Sequence, residues 1–193
     1  MTTVLNAILQ RPSPVAFKPE RPPRELIERL LEAASRAPNH HLNQPWRFVV
    51  LSGNALDRYA DLLVEQQRAR LPEPTAAEAR AQLEATRGKA LRAPVLLVVA
   101  SVHTDHPRAM AIEDVEAAAS AATALLLAAP DLGLGAYWRT GAAAYDDDVK
   151  AFLGLRPDDH IVGLLYVGYP TGTRPPGPRA PVADKTLWMG WDA

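Results

Sequence analysis

Apolar residues along the chain fall into two rhythms, and the alternation between them predicts an order of elements. Leu26, Ile27, Leu30, Leu31 and Ala34 follow the spacing of a single buried helical stripe, predicting a helix over Arg24–Arg36. Pro22 and Pro23 suit its start and Pro38 stops it. Further helices are predicted over Leu56–Arg70, Ala76–Leu91, Arg108–Ala129 and Asp146–Leu153, the last capped by Asp146. Thr2–Leu9 suits a short one. Continuous or β-branched runs mark strands at Trp46–Leu51, Val95–Ala100 and Ile161–Tyr169, with Ala136–Arg139 a short extended piece. Between these lie a proline-rich segment, Arg11–Pro23, and a polar loop, Pro38–Pro45. The proline- and glycine-rich tail, 170–193, carries two tryptophans and is a poor independent unit, better suited to wrapping a partner's surface.

Strands alternating with helices argue for a central sheet under helical cover, α+β or α/β. Periodicity does not set the strand order. The back half of the longest helix, AAASAATALLLAA, is apolar on every face and needs cover on all sides, which a second subunit naturally supplies. At 193 residues the chain is expected to form one domain, 1–193.

Composition narrows the chemistry. With 21 basic and 22 acidic residues the net charge is -1, which gives no electrostatic case for nucleic acid or an anionic membrane. The absence of cysteine excludes disulfides, thiolate metal sites and a cysteine nucleophile. The longest uncharged apolar stretch, Ala117–Pro130, is shorter than the ~20 residues of a membrane span, and the first residues lack a secretory signal pattern. A soluble, cytoplasmic protein is expected. There is no GxGxxG, Walker loop or GxSxG elbow. His103 and His106 read as part of a solvated loop, and no metal site is expected.

Three segments stand out. Arg11 and Ser13, two apart in an extended loop, suit one phosphate. The loop PNHHLNQPW gathers donors, acceptors and an indole within nine residues. Gly133–Gly141 places glycines where the backbone can closely approach a planar ligand, or simply make a helix-to-strand turn.

Together these segments resemble the nitroreductase-like flavoproteins, most closely their small subgroup. The resemblance rests on Arg11-Pro-Ser13 with Phe17-x-Pro19, on Ala33–Phe48 with its Ala-Pro and Gln-Pro-Trp-x-Phe, and on Glu113-Asp-Val through Leu132–Gly141, followed by Ile161–Pro170. It implies an α+β sandwich, a central sheet flanked by helices, built as an intertwined homodimer with FMN at the interface. NADH or NADPH would donate electrons, and a nitroaromatic or quinone-like acceptor would receive them. The resemblance assigns cofactor contacts to Arg11, Pro12, Ser13, Arg36, His40, Trp138, Arg139 and Thr140, with Arg179 a further phosphate contact, and no catalytic side chain. Arg36 and Arg139 both qualify as the charge supporting reduced flavin. Pro12 and Val15 stand where the family usually carries more arginine, which predicts weak FMN retention. The alternatives are another flavin reaction on the same scaffold, an FMN-binding protein with little turnover, and a cofactor-free scaffold.

Overall fold

A computed structural model describes residues 3–73, 75–104, 106–172 and 176–191. Four strands form one antiparallel sheet in the order β1 (Trp46–Ser52), β2 (Val95–Ser101), β4 (His160–Gly168), β3 (Gly135–Arg139). The fold is therefore α+β. Among the described residues six α-helices accompany it: α1 (Val4–Gln10), α2 (Arg24–Ser35), α3 (Asn54–Ala69), α4 (Ala77–Ala90), α5 (Ala111–Ala128) and α6 (Asp147–Phe152).

Side-chain alternation divides the core into two layers. Val95, Leu97 and Val99 of β2 pack with Leu165 and Val167 against α2 and α5. Leu96, Val98 and Ala100 face the other way, with Leu164, Tyr166 and residues of α3 and α6. This is why β2 reads as a continuous apolar run: every residue of it is buried. The antiparallel pairing shows that helical cover on both faces, not parallel topology, is the cause.

A register shift corrects the faces of β4. Val99 pairs with Gly163, but Ala100 pairs with Ile161, so Val162 is an extra residue. The shift puts Ile161 in the α3/α6 layer and Val162 in the α2/α5 layer. Gly163 lets Trp138 lie across this point: a Cβ there would stand 2.6 Å from the indole Nε1. That indole donates to the Val162 carbonyl at 3.1 Å.

The predicted cap on α6 is present, Asp146 Oδ1 accepting from the Asp148 and Val149 amides at 3.0 and 3.1 Å. Helix α5 begins at Ala111 rather than Arg108, because residues 107–109 form a turn in which the Ala109 amide donates to the His106 carbonyl. In one chain α5 buries only the side facing the sheet and α2, through Ala117, Ala118, Ala121, Ala122, Leu125 and Leu126. Ile112 and Thr123 are exposed. Helix α1 buries no residue, and Leu187, Trp188, Met189 and Trp191 of the tail are exposed. No helix among the described residues is long and apolar enough to cross a membrane.

Candidate functional site

The segment bearing Arg11 and Ser13 is fixed to the sheet by close packing. The Arg11 guanidinium donates to Ser13 Oγ at 3.2 Å and to the Pro12 carbonyl at 3.5 Å. Next in the chain, Pro14 is buried and lies on Gly135, the first residue of β3, where an added Cβ would meet Pro14 Cγ at 2.6 Å. A bridge between Phe17 and Pro170, with the Lys18 amide on the Tyr169 carbonyl at 2.8 Å, completes the attachment. Pro14 is therefore a packing residue, and Gly135 serves this chain's own backbone rather than a planar ligand. Gly133, at φ 69°, makes the helix-to-strand turn.

Four residues after Gly135, β3 ends at Arg139, followed by Thr140 and Gly141, all exposed. Gly141 has φ 95° and open space where a side chain would project. β3 pairs only with β4 and forms one edge of the sheet, so its outer backbone groups are unclaimed by the ladder. Arg139 lies over the Tyr137 ring at 5.9 Å. Trp138 is half-buried, packed against the α2/α5 layer with its indole N–H donated to the Val162 carbonyl.

The second group sits where β1 begins. Arg36 caps the end of α2 and pairs with Glu32 at 3.6 Å. His40 Nδ1 is 3.4 Å from a Glu113 carboxylate oxygen. The turn that follows is strained: His41, Leu42 and Gln44 have φ of 55°, 52° and 48°. Backbone of this kind in residues other than glycine costs about 1–3 kcal/mol each and concentrates at functional sites. The His41 ring stacks on His106 at 4.3 Å. Its proton affinity is lowered, first by desolvation and then by the charges of Arg108, His106 and His40.

Sequence reasoning missed the partners of this loop. Asn43 donates to Asp114 Oδ1 at 2.9 Å and to Thr104 Oγ1 at 3.1 Å. Asp114 had read as one more acid in the front half of α5, yet it is only 3% exposed. The positive φ angles carried no sequence signal, since Leu and Gln are not residues that favour them.

No hydrogen bond or ion pair among the described residues joins the Arg11 group to the His40 group. Arg179 donates to the carbonyls of Gly177 and Pro178 in its own segment. Two clefts, of about 510 and 590 Å3, are lined by Phe17, Arg21 and Arg92 and by Ile27, Leu31 and Val50, away from every predicted contact residue. The candidate site in one chain is thus an open edge, with the Arg11–Ser13 pair near the start of β3 and an exposed cation and backbone at its end.

Comparison with known proteins identifies the family and the fold. Residues 8–169 match the sequence profile described as the Nitroreductase family. YdjA of Escherichia coli (strain K12), provisionally named an NAD(P)H nitroreductase, is 30% identical over 166 residues, covering 86% of this chain and 87% of its own. YfhC of Bacillus subtilis (strain 168), named in the same provisional way, is 30% identical and covers 97% and 95%. The solved nitroreductase-like family protein of Bacillus cereus superposes with a TM-score of 0.82 at 25% identity, covering 99% and 98% of the two chains. A protein of Desulfovibrio desulfuricans, provisionally named a nitroreductase and solved in complex with FMN, gives 0.76 at 26%, covering 100% and 99%. With a family profile spanning most of its length, relatives aligned nearly end to end and the fold shared, this chain belongs to the nitroreductase family.

Proposed function

We propose that the chain is an FMN-dependent oxidoreductase of the cytoplasm that works as a homodimer. It takes electrons from NADH or NADPH and reduces nitroaromatic or quinone-like acceptors. The observation that carries this reading is the attachment of the Arg11–Ser13 pair, through Pro14 and Gly135, to the start of an edge strand that ends at Arg139 and Thr140. Five extended residues span about 17 Å, a length suited to a phosphate at one end and a tricyclic ring at the other. The donors fit the group: a guanidinium and a hydroxyl for the phosphate, unpaired strand backbone and a cation for the ring.

When bound, FMN supplies the two-electron chemistry, passing electrons from the nicotinamide to the acceptor. Arg11 and Ser13 hold the phosphate. Arg139, exposed at the strand end, and Arg36 are placed to offset negative charge on the ring. Beside Thr140, Gly141 presents backbone with open space where a side chain would project. His40 approaches from the loop of the second subunit, completing an edge that one chain leaves open. The exposed side of α5, the unburied α1 and the tail's tryptophans supply apolar surface for that subunit. One cation grips the phosphate segment, so FMN is held loosely enough to be lost on dilution.

The test adds FMN to the purified protein, then NADH or NADPH without oxygen, while the flavin's visible absorbance and the oligomeric state are followed. The reading predicts a dimer whose flavin bleaches with at least one nicotinamide and recovers on adding a quinone or nitroaromatic. A dimer that binds FMN but is not bleached leaves a binding protein. A monomer indifferent to FMN overturns the reading.

A further inference from the structure

The loop from Asn39 to Pro45 is held in a shape its own residues resist. His41, Leu42 and Gln44 all lie in the left-handed region, and none is glycine. Such backbone persists only where the surroundings over-determine it. Several restraints hold it: the Gln44 amide donates to Asn39 Oδ1 at 3.0 Å, the Pro45 carbonyl accepts from the Val102 amide at 2.7 Å, His40 approaches Glu113 and His41 stacks on His106. Asn43 makes side-chain hydrogen bonds from the loop to distant segments. Its amide ties the loop to Thr104, in the segment after β2, and to Asp114, in the first turn of α5.

Asp114 is an odd residue for its place. Its side chain is more than nine-tenths buried, on a helix face otherwise made of alanine and leucine. Oδ1 accepts from Asn43, while Oδ2 has no hydrogen-bond partner among the described residues. His103 Nδ1 stands 3.9 Å from Oδ2, beyond hydrogen-bond reach. A buried carboxylate so thinly satisfied opposes folding, and an alanine would match its helical neighbours Ala117 and Ala118. Its well-formed bond goes to the strained loop, and α5 is packed into the core, so the carboxylate is a fixed post for the loop.

We propose that Asp114 is the positioning residue of this loop, locking the His40–Leu42 turn through Asn43 in the shape that presents His40 to the flavin ring. The presentation to flavin rests on the FMN reading above; the lock itself does not. Arg11 acts on the phosphate, whereas Asp114 acts on the ring end. Losing Asp114 therefore weakens FMN and riboflavin alike.

The experiment uses the full chain with Asp114→Asn, Asn43→Asp and the exchanged double variant, in which asparagine at 114 donates to aspartate at 43. Hydrogen exchange of flavin-free protein is followed by mass spectrometry, and riboflavin and FMN are titrated separately. Asn43→Asp, which sets two carboxylates against each other, is expected to speed exchange in residues 39–45 while β2 and β4 stay protected, and to weaken both flavins about tenfold, or 1.4 kcal/mol; Asp114→Asn keeps an acceptor for Asn43 and is expected to change both readouts less. The exchanged variant is expected to restore both readouts. Unchanged loop exchange in Asn43→Asp, or no rescue on exchange, overturns the lock. If β2 and β4 also lose protection, the rescue decides: recovery in the exchanged variant supports the lock, and its absence overturns it. If wild type binds neither flavin, the proposed function fails, and loop exchange alone still decides whether Asp114 holds the loop.

Discussion

Gly135→Ala adds one methyl where the segment carrying Arg11 and Ser13 packs on β3. The new Cβ would stand 2.6 Å from Pro14 Cγ, 3.3 Å from Pro170 Cβ and 3.4 Å from Phe17 Cε1. Carbon atoms settle at about 3.5–4.0 Å, so Pro14 must retreat by about 1 Å. A proline ring cannot swing aside, and its backbone carries Ser13 and Arg11 with it. Overpacking of this kind costs about 1–3 kcal/mol. The alanine also stiffens the unfolded chain, which returns about 0.4–1 kcal/mol. Overpacking wins, for a net loss of about 1–2 kcal/mol, or a fall in Tm of about 3–6 °C at this chain length. FMN affinity should fall about tenfold as the grip moves, and riboflavin affinity much less. Thermal melts of flavin-free protein and titrations with both flavins check this. Gly154→Ala is the control: Gly154 has φ 70° and open space around it, so the change strains backbone without moving Pro14. A Gly135→Ala protein as stable as wild type with unchanged FMN affinity would refute the claim that Pro14 fixes the segment.

Other outcomes follow from the same geometry. Gly163→Ala drives the Trp138 indole off the Val162 carbonyl, costing about 1–3 kcal/mol and shifting tryptophan fluorescence; an unchanged spectrum with unchanged stability would contradict the placement. Burial works against the charge of Asp159, but hydrogen bonds from the Arg156 side chain and amide, and the charges of Arg156 and Arg47, hold its carboxyl below the ordinary range. A depressed acid contributes stability above its unfolded pKa and loses it as pH falls through the folded value. Asp159→Asn should therefore cost about 1 kcal/mol in urea unfolding at neutral pH, a deficit that shrinks toward pH ~3; a deficit independent of pH would contradict this. Thr123→Arg places a charge on the exposed side of α5 and should shift sedimentation toward monomer with loss of flavin binding, while a dimer of unchanged strength would remove α5 from the interface.

Much of the fold was legible because its signals are local. The stripe from Leu26 to Ala34 and the Asp146 cap placed α2 and α6 within a residue or two. The β2 run announced burial on both faces. What it could not announce was direction, because an antiparallel strand covered by helices on both faces reads like a parallel one. The extra residue at Val162 was equally silent, since a bulge depends on the neighbouring strand. At the site, Arg11 and Ser13 were visible as residue types, and the structure brings them into contact. The packing of Trp138 on Gly163 was silent, because the two are 25 residues apart in sequence and adjacent only in the sheet. Asp114 was overlooked for a related reason: an acid in a helix's first turn is ordinarily solvated and favoured there by the helix dipole, and its burial is a tertiary fact.

The most direct measurement compares FMN with riboflavin, which lacks the phosphate, in wild type and in Arg11→Gln. A wild-type preference for FMN of about tenfold or more, falling nearly to parity in Arg11→Gln while riboflavin affinity holds, is the predicted result. Equal affinity of wild type for both flavins, or a preference that survives the loss of Arg11, would contradict a cofactor held by its phosphate at the start of β3.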